Sequence, residues 1–168
     1  RLIMALIKTG RYQQAQTQIQ EGMQKFTATV QLQFLLAQLE LSKGQYQAAQ
    51  LNMQTALQHF DQSSTPSQLQ RSDLVFNLGA IYFMQGHSLL TDLNNESDAQ
   101  SALEAFETAR TYFNQALDKV PDDIYILDEY ARLLFNRAYV LKTDQAWQET
   151  IQIYRRLLTQ PHKHELGP

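Results

Sequence analysis

The chain has 168 residues and a formal net charge of -3, so it lacks the basic surface that a nucleic-acid partner would require. It contains no cysteine, which excludes disulfides, thiolate metal ligands and a cysteine nucleophile but leaves the compartment open between cytoplasm and periplasm. Only six Gly and four Pro interrupt a composition rich in Gln, Leu and Ala, and this composition favours long helices joined by few turns.

The first predicted helix is apolar and already under way at the first residues. Its run from Leu2 to Ile7 is among the longest apolar runs of the chain, yet it is far shorter than the roughly 20 residues that cross a bilayer. We therefore expect no membrane insertion by this segment. Because the chain begins at Arg1 without a signal-like region, we expect it to be a fragment of a longer protein.

A short pattern then recurs with a period of 34 residues. The recurring residues are a glycine, a tyrosine and an alanine: Gly10 and Gly44, Tyr12 and Tyr46, Ala15 and Ala49. Each glycine follows an apolar segment and predicts a left-handed helix end, and each tyrosine is expected to open the next helix. Each alanine would let two antiparallel helices approach closely. The period is typical of repeated helix-turn-helix units.

These residues resemble the tetratricopeptide repeat family, and a third unit fits that pattern in two pieces. The residues that match its first helix are Leu78, Gly79, Tyr82 and Gly86, and those that match its second helix are Ala109, Phe113, Ala116 and Pro121. Between the pieces lies an insertion of about 18 residues, from His87 to about Glu104, whose polar cluster 91–98 predicts an exposed turn. The first helix should reach about Leu90, and Ser97 or Asp98 should cap the second.

A fourth, diverged unit begins after the sequence Pro-Asp-Asp at 121–123, which suits the start of a helix. That helix carries Tyr130, Ala131 and Leu134 and should extend to Leu141 or Lys142. Asp144 is expected to cap the last helix. Four residues of that helix stand in for the family positions before Pro161, namely Trp147, Thr150, Tyr154 and Leu157.

The resemblance therefore implies an all-α fold, a right-handed α-solenoid of about four antiparallel helix-turn-helix repeats whose third hairpin is elongated. We expect a single tetratricopeptide-like domain over 1–168, with repeats at about 1–28, 29–62, 69–121 and 122–161. The loop that contains Ser63 to Ser67 is longer than a minimal repeat turn, but it should not divide the chain into two domains.

No residue pattern predicts catalysis, a cofactor or a metal site. The tail that contains His162, His164 and Glu165 has potential ligands, but an i, i+2 pair of imidazoles points to different sides of a helix or a strand. His59 and His87 have no partner at a spacing that would assemble an acid-base pair. Asn95 begins an Asn-Glu-Ser glycosylation pattern, which we interpret as a turn. We expect a protein that is not an enzyme.

The family register implies a concave groove on the inner faces of the first helices, where a partner peptide or protein would bind. The predicted groove residues are Gln38, Leu41, Asp73, Phe76, Phe83, Met84, Tyr125, Asp128, Arg132, Phe135 and Asn136. Its aromatic side chains would be apolar anchors, and Asp128 and Arg132 would orient the partner. The basic clamp with which some relatives bind a C-terminal carboxylate is missing, since Phe34, Gln38, Phe76, Ala80 and Asp128 occupy the matching positions.

Two alternatives stay open at the level of sequence. The exposed terminal repeats of a short stack could drive self-association, which would make the chain a structural homo-oligomerising module or a homodimer. The chain could also be the regulatory arm of a larger enzyme. The leading hypothesis remains a protein interaction scaffold.

Overall fold

The structure, a computed structural model, describes residues 1–26, 29–63, 67–91 and 95–160. Within these ranges the chain forms eight α-helices, one short 3-10 helix at Leu89–Thr91 and no strand, which confirms the predicted all-α class. In chain order the helices are α1 (Leu2–Lys8), α2 (Tyr12–Lys25), α3 (Val30–Ser42), α4 (Tyr46–Gln62), α5 (Arg71–Ser88), α6 (Glu96–Leu117), α7 (Ile124–Leu141) and α8 (Asp144–Thr159).

The helices pack against their neighbours along the chain. The pairs α1 with α2, α3 with α4, α5 with α6 and α7 with α8 each pack together, and the second helix of each of the first three pairs also contacts the next helix. In addition, α1 contacts α3 and α5 contacts α7. The buried side chains accordingly form three successive clusters, the first around Ile19, the second around Met53 and the third around Phe113. The core is therefore a row of local cores.

The two repeated glycines end their helices in the predicted left-handed conformation, with φ of 73° at Gly10 and 74° at Gly44. An equivalent backbone hydrogen bond forms at both helix ends. Arg11 N donates to Leu6 O, and Gln45 N donates to Glu40 O, each at 2.9 Å. Tyr12 and Tyr46 begin the following helices, as the repeat predicts.

Two predicted caps are wrong by one to three residues. Asn95, not Ser97 or Asp98, caps α6, since its side-chain oxygen accepts from the backbone N–H groups of both, at 3.1 and 3.4 Å. Thr143, not Asp144, caps α8, because its hydroxyl accepts from Ala146 N at 3.3 Å. In each case the residue that could reach the free N–H groups two or three positions ahead became the cap.

The other expected helix ends are close to those observed. Helix α5 ends at Ser88 and continues as the short 3-10 helix to Thr91, whereas α7 ends at Leu141 as predicted. Residues 92–94 of the predicted polar turn, together with Pro161 and the tail that holds His162, His164 and Glu165, lie outside the described residues.

Glycines bring α5 and α6 unusually close together. A Cβ atom placed on Gly79 would lie 2.8 Å from Cδ1 of Phe113 and 3.1 Å from Cβ of Tyr112. Seven residues on, a Cβ atom on Gly86 would lie 2.7 Å from the ring of Phe106. Both phenylalanine side chains are fully buried, so their rings have little room to shift. The two glycines thus set the separation of α5 and α6.

We predict that Gly79→Ala destabilises the protein by about 1–3 kcal/mol, because overpacking against the Phe113 ring outweighs the better helix propensity of alanine. Urea denaturation measures the free energy of unfolding. The penalty should shrink in the Phe113→Leu background, in which the clashing ring is absent. A Gly79→Ala protein more stable than the parent would show that the helices do not approach this closely.

We predict opposite effects for two helix ends with the same left-handed backbone. Lys142 ends α7 with a φ of 55°, so Lys142→Gly should stabilise the protein by about 0.5–1 kcal/mol. Gly44→Ala should destabilise it by about 1 kcal/mol, and this change isolates the backbone effect because nothing lies within 4 Å of the added Cβ. Thermal unfolding compares both variants with the parent, and shifts in the same direction would contradict the assignment of the two ends.

Candidate functional site

Helices α5 and α7 run side by side in a fixed register. The rings of Phe76 and Tyr125 meet edge to face with their centroids 5.3 Å apart, and Nδ1 of His87 lies 3.2 Å from Oδ1 of Asn136. Each pair is separated by 49 residues in sequence, and the two contacts lie eleven residues apart on both helices. Because the residue numbers differ by the same amount in both contacts, α5 and α7 run parallel and keep one axial register over about 16 Å.

Helix α3 joins the same face through a side-chain hydrogen bond. Nε2 of Gln38 donates to Oδ1 of Asn77 on α5 at 3.0 Å, and Nδ2 of Asn77 in turn donates to the backbone oxygen of Asp73 at 2.7 Å. The amide orientations are consistent with both bonds at once. We call the surface that these first helices of each pair share the α3–α5–α7 face.

The exposed side of α7 is a single stripe that combines aromatic and charged side chains. Tyr125, Asp128, Arg132, Phe135 and Tyr139 are all exposed and follow one another at intervals of three or four residues, which places them on one side of the helix. Tyr125 is the most open of the three aromatic residues, with 66% of its surface accessible. Nη1 of Arg132 lies 2.8 Å from Oε1 of Glu129, so part of its charge is neutralised within the helix.

Helix α5 adds two exposed side chains beside this stripe, one a methionine and the other a histidine. Met84 and His87 are exposed on the side of α5 that also carries Asp73 and Asn77. Asp73 is partly occupied, because its Oδ2 accepts a hydrogen bond from Gln70 N at 2.8 Å as half of a capping box. Met84 is therefore the principal free apolar contact that α5 offers.

The predicted groove residues divide by how much of each side chain reaches solvent. Phe76 is only 7% exposed and Phe83 is also buried, packed on Phe106 with a ring separation of 6.0 Å, so neither presents a free ring. The half-buried members of the predicted set are Gln38, Leu41 and Asn136. The exposed members are Asp73, Met84, Tyr125, Asp128, Arg132 and Phe135.

Three residues of this face were not in the predicted set. Tyr139 continues the α7 stripe one turn beyond Phe135, and the spacing alone would have identified it. Asn77 and His87 form the contacts that join α5 to α3 and α7. No single-helix pattern reveals those two, since their partners lie on other helices.

A ring of four charges fixes α7 between α6 and α8. The guanidinium of Arg137 contacts Glu107 on α6 and lies 3.2 Å from Oε2 of Glu149 on α8. Arg110 closes the ring, at 3.3 Å from Glu107 and 3.6 Å from Glu149. Burial opposes the charge on Arg110, but the hydrogen bond with Tyr130 and the two carboxylates outweigh it and raise its pKa. The ring sets the rotation of α7 and thus which residues form its exposed stripe.

We predict that Arg137→Met lowers the free energy of unfolding by about 1–2 kcal/mol, because it removes the more buried of the two arginines and leaves Glu107 and Glu149 to share Arg110 alone. The loss should be smaller in high salt, which screens the parent's ion pairs. Arg132→Met is the matched control, and it should change stability by less than about 0.5 kcal/mol because its ion pair is exposed. Equal losses in the two variants would contradict a role for the ring in holding α7.

Other polar features lie away from this face. An open cleft of about 500 Å³ at the start of α5 and the end of α6 is lined by Gln70, Arg71, Ser72, Val75, Gln115, Asp118 and Lys119. Arg71 there binds Asp61 at 2.9 Å, and this hydrogen bond lowers the pKa of Asp61 despite desolvation. Burial and the neighbouring Tyr112 raise the pKa of Tyr82, whose ring stacks on that tyrosine.

No group of three or more His, Asp or Glu side chains among the described residues comes together in a way that could hold a metal ion. None of the described helices combines the length and the apolar character needed to cross a membrane.

No protein-family model matches the chain, and no curated protein matches it.

Proposed function

We propose that this protein is a tetratricopeptide-like right-handed α-solenoid of four hairpins whose role is binding. In this proposal the α3–α5–α7 face is the concave groove, and a segment of a partner protein lies along it. The observation that carries the proposal is the shared 49-residue offset of the α5 and α7 contacts, which aligns the exposed residues of two helices into one surface.

The arrangement of helices supports the solenoid. First helices that contact each other, as α1 contacts α3 and α5 contacts α7, are what stacked hairpins produce. The local cores centred on Ile19, Met53 and Phe113 agree with this, because in a stack each hairpin buries its apolar face mainly against the next one.

The chemistry of the face defines the partner segment that it would bind. Tyr125 and Phe135 are ten residues apart on α7, which is about 15 Å along the helix axis. An extended peptide covers that distance in about four or five residues, so its apolar anchors should have that spacing. Arg132 is paired with Glu129, whereas Asp128 has no ion pair with a described residue. A basic side chain between the two anchors would complement Asp128.

Selection of binding peptides from a random library, with the purified protein as the target, tests this function. We expect enriched peptides to carry two apolar residues four or five positions apart with Lys or Arg between them. The dissociation constant, measured by isothermal titration calorimetry, should rise about tenfold or more in Tyr125→Ala and in Met84→Ala, since exposed anchors of this type dominate binding energies. Asp128→Asn should weaken binding and reduce its dependence on salt.

Leu51→Ala is the matched control for Tyr125→Ala. Leu51 is 65% exposed on α4, outside the proposed groove, so its loss removes a comparable apolar surface without affecting the peptide. Circular dichroism and thermal unfolding establish that each variant keeps its fold. Peptides that bind Tyr125→Ala and the parent equally well, or lose affinity to the same extent in Leu51→Ala, would contradict the groove.

A further inference from the structure

The contact between His87 and Asn136 fixes which ring nitrogen of His87 carries a proton. Nδ2 of Asn136 donates to the backbone oxygen of Arg132 at 2.8 Å, so Oδ1 is the amide atom that lies 3.2 Å from Nδ1 of His87. The opposite amide orientation would place two oxygens 2.8 Å apart, where they repel. Because Oδ1 can only accept a hydrogen bond, Nδ1 of His87 is the donor and carries the proton.

A matching contact joins α3 to α5, but it cannot titrate. Nδ2 of Asn77 donates to the backbone oxygen of Asp73, again four residues earlier, and Oδ1 of Asn77 accepts from Nε2 of Gln38. Both helices thus use an asparagine in the same way, with an amide donor in one contact and an imidazole donor in the other. Only the imidazole has a second ring nitrogen whose hydrogen bonding changes with pH.

Protonation of His87 preserves its hydrogen bond to Asn136 and changes only Nε2. In the neutral ring Nε2 is an acceptor, whereas in the imidazolium both nitrogens donate. His87 is exposed, and its bond through Nδ1 is the only hydrogen bond that it forms with another described residue. Nε2 is therefore free to bind a partner on the α3–α5–α7 face.

The other parts of the structure packed around His87 bring no free carboxylate to it. Helix α4 meets this end of α5 with Gln50, which donates to Gln85 at 2.7 Å, and α6 meets it with Ala102 and Phe106. The last turn of α5 contains no other titratable side chain, and its carbonyl groups favour a positive charge nearby.

The charged residues of α7 nearest to Asn136 are both positive. Arg132 lies one turn earlier and pairs with Glu129, and Arg137 belongs to the ring of four charges. Asp128 lies eight residues before Asn136, about 12 Å along the helix. The face therefore favours a positive group of the partner near Asp128 and a negative group near His87.

We propose that His87, in its protonated form, binds a carboxylate of the partner segment. Nε2–H donates to that carboxylate while Nδ1–H remains bonded to Asn136, so His87 contacts the partner and Asn136 is a positioning residue. The inference rests on the proposed groove. Because Asn136 follows Phe135 directly, the carboxylate should lie beside the apolar anchor that packs on Phe135.

The position of the proton is tested on the free protein by nitrogen chemical shifts of the imidazole, assigned by comparison with His87→Gln. At about pH 9, where histidines are neutral, the proton should be on Nδ1. Asn136→Ala removes the acceptor and should move the population towards the Nε2–H form. Asn77→Ala removes the equivalent acceptor on α5 and should leave the His87 ring unchanged. A parent ring protonated at Nε2 would overturn the positioning by Asn136.

Peptide selection at two pH values tests the carboxylate. Peptides enriched at about pH 5.5 should carry Asp or Glu beside one apolar anchor, and selection at about pH 8 should lose this preference. The affinity of such a peptide, measured by titration calorimetry, should rise about two- to fivefold from pH 8 to pH 5.5, which is the size of an exposed ion pair. His87→Gln should abolish the rise, as should the amide form of the acidic peptide residue. His59→Gln, on α4, is the matched control and should keep it.

The outcomes distinguish this inference from the proposed function. Peptides that bind the groove without an acidic preference, or with the same pH dependence in His87→Gln as in the parent, would overturn the role of His87 and leave the groove intact. Absence of any peptide whose binding depends on Tyr125 and Met84 would overturn the groove and this inference together. Circular dichroism at both pH values confirms that each variant is folded.

Discussion

The Phe113 side chain holds three helices together, and the geometry of the proposed binding face depends on it. Its ring stacks on Phe76 of α5 at 5.4 Å, lies against the bare backbone of Gly79, and meets Tyr130 of α7 edge to face at 6.1 Å. Because Gly79 has no Cβ, the ring reaches α5 closely enough for α7 to contact α5 as well. The parallel register of α5 and α7 follows, and with it the line of exposed residues that the two helices share.

Local features of this fold could be predicted from the sequence, whereas features set by contacts between helices could not. The 34-residue recurrence correctly located the helix ends at Gly10 and Gly44, because a left-handed end is a property of the glycine itself. Cap positions near Asn95 and Thr143 were missed by one to three residues, since several neighbouring polar side chains were chemically able to cap. The position of each side chain relative to the free backbone N–H groups decided which residue caps the helix.

In the candidate site, too, the sequence predicts what a single helix determines but not what contacts between helices determine. The resemblance to the repeat family implied that Tyr125, Asp128, Arg132 and Phe135 share one side of α7. Their intervals of three or four residues agree with the exposed side that the structure shows. Whether Phe83 reaches solvent depends instead on its neighbour Phe106 across the α5–α6 interface, and sequence periodicity contains no information about that contact.

The distance between labels on α5 and α7 tests the common surface most directly. Spin labels at Asp73 and Asp128, and in a second protein at Met84 and Tyr139, occupy exposed sites with the same 55-residue offset. Parallel helices in step predict two narrow distance distributions with equal means when measured by double electron-electron resonance. Means that differ by about 10 Å or more, the change expected if the helices diverge or run in opposite directions over eleven residues, would contradict the account.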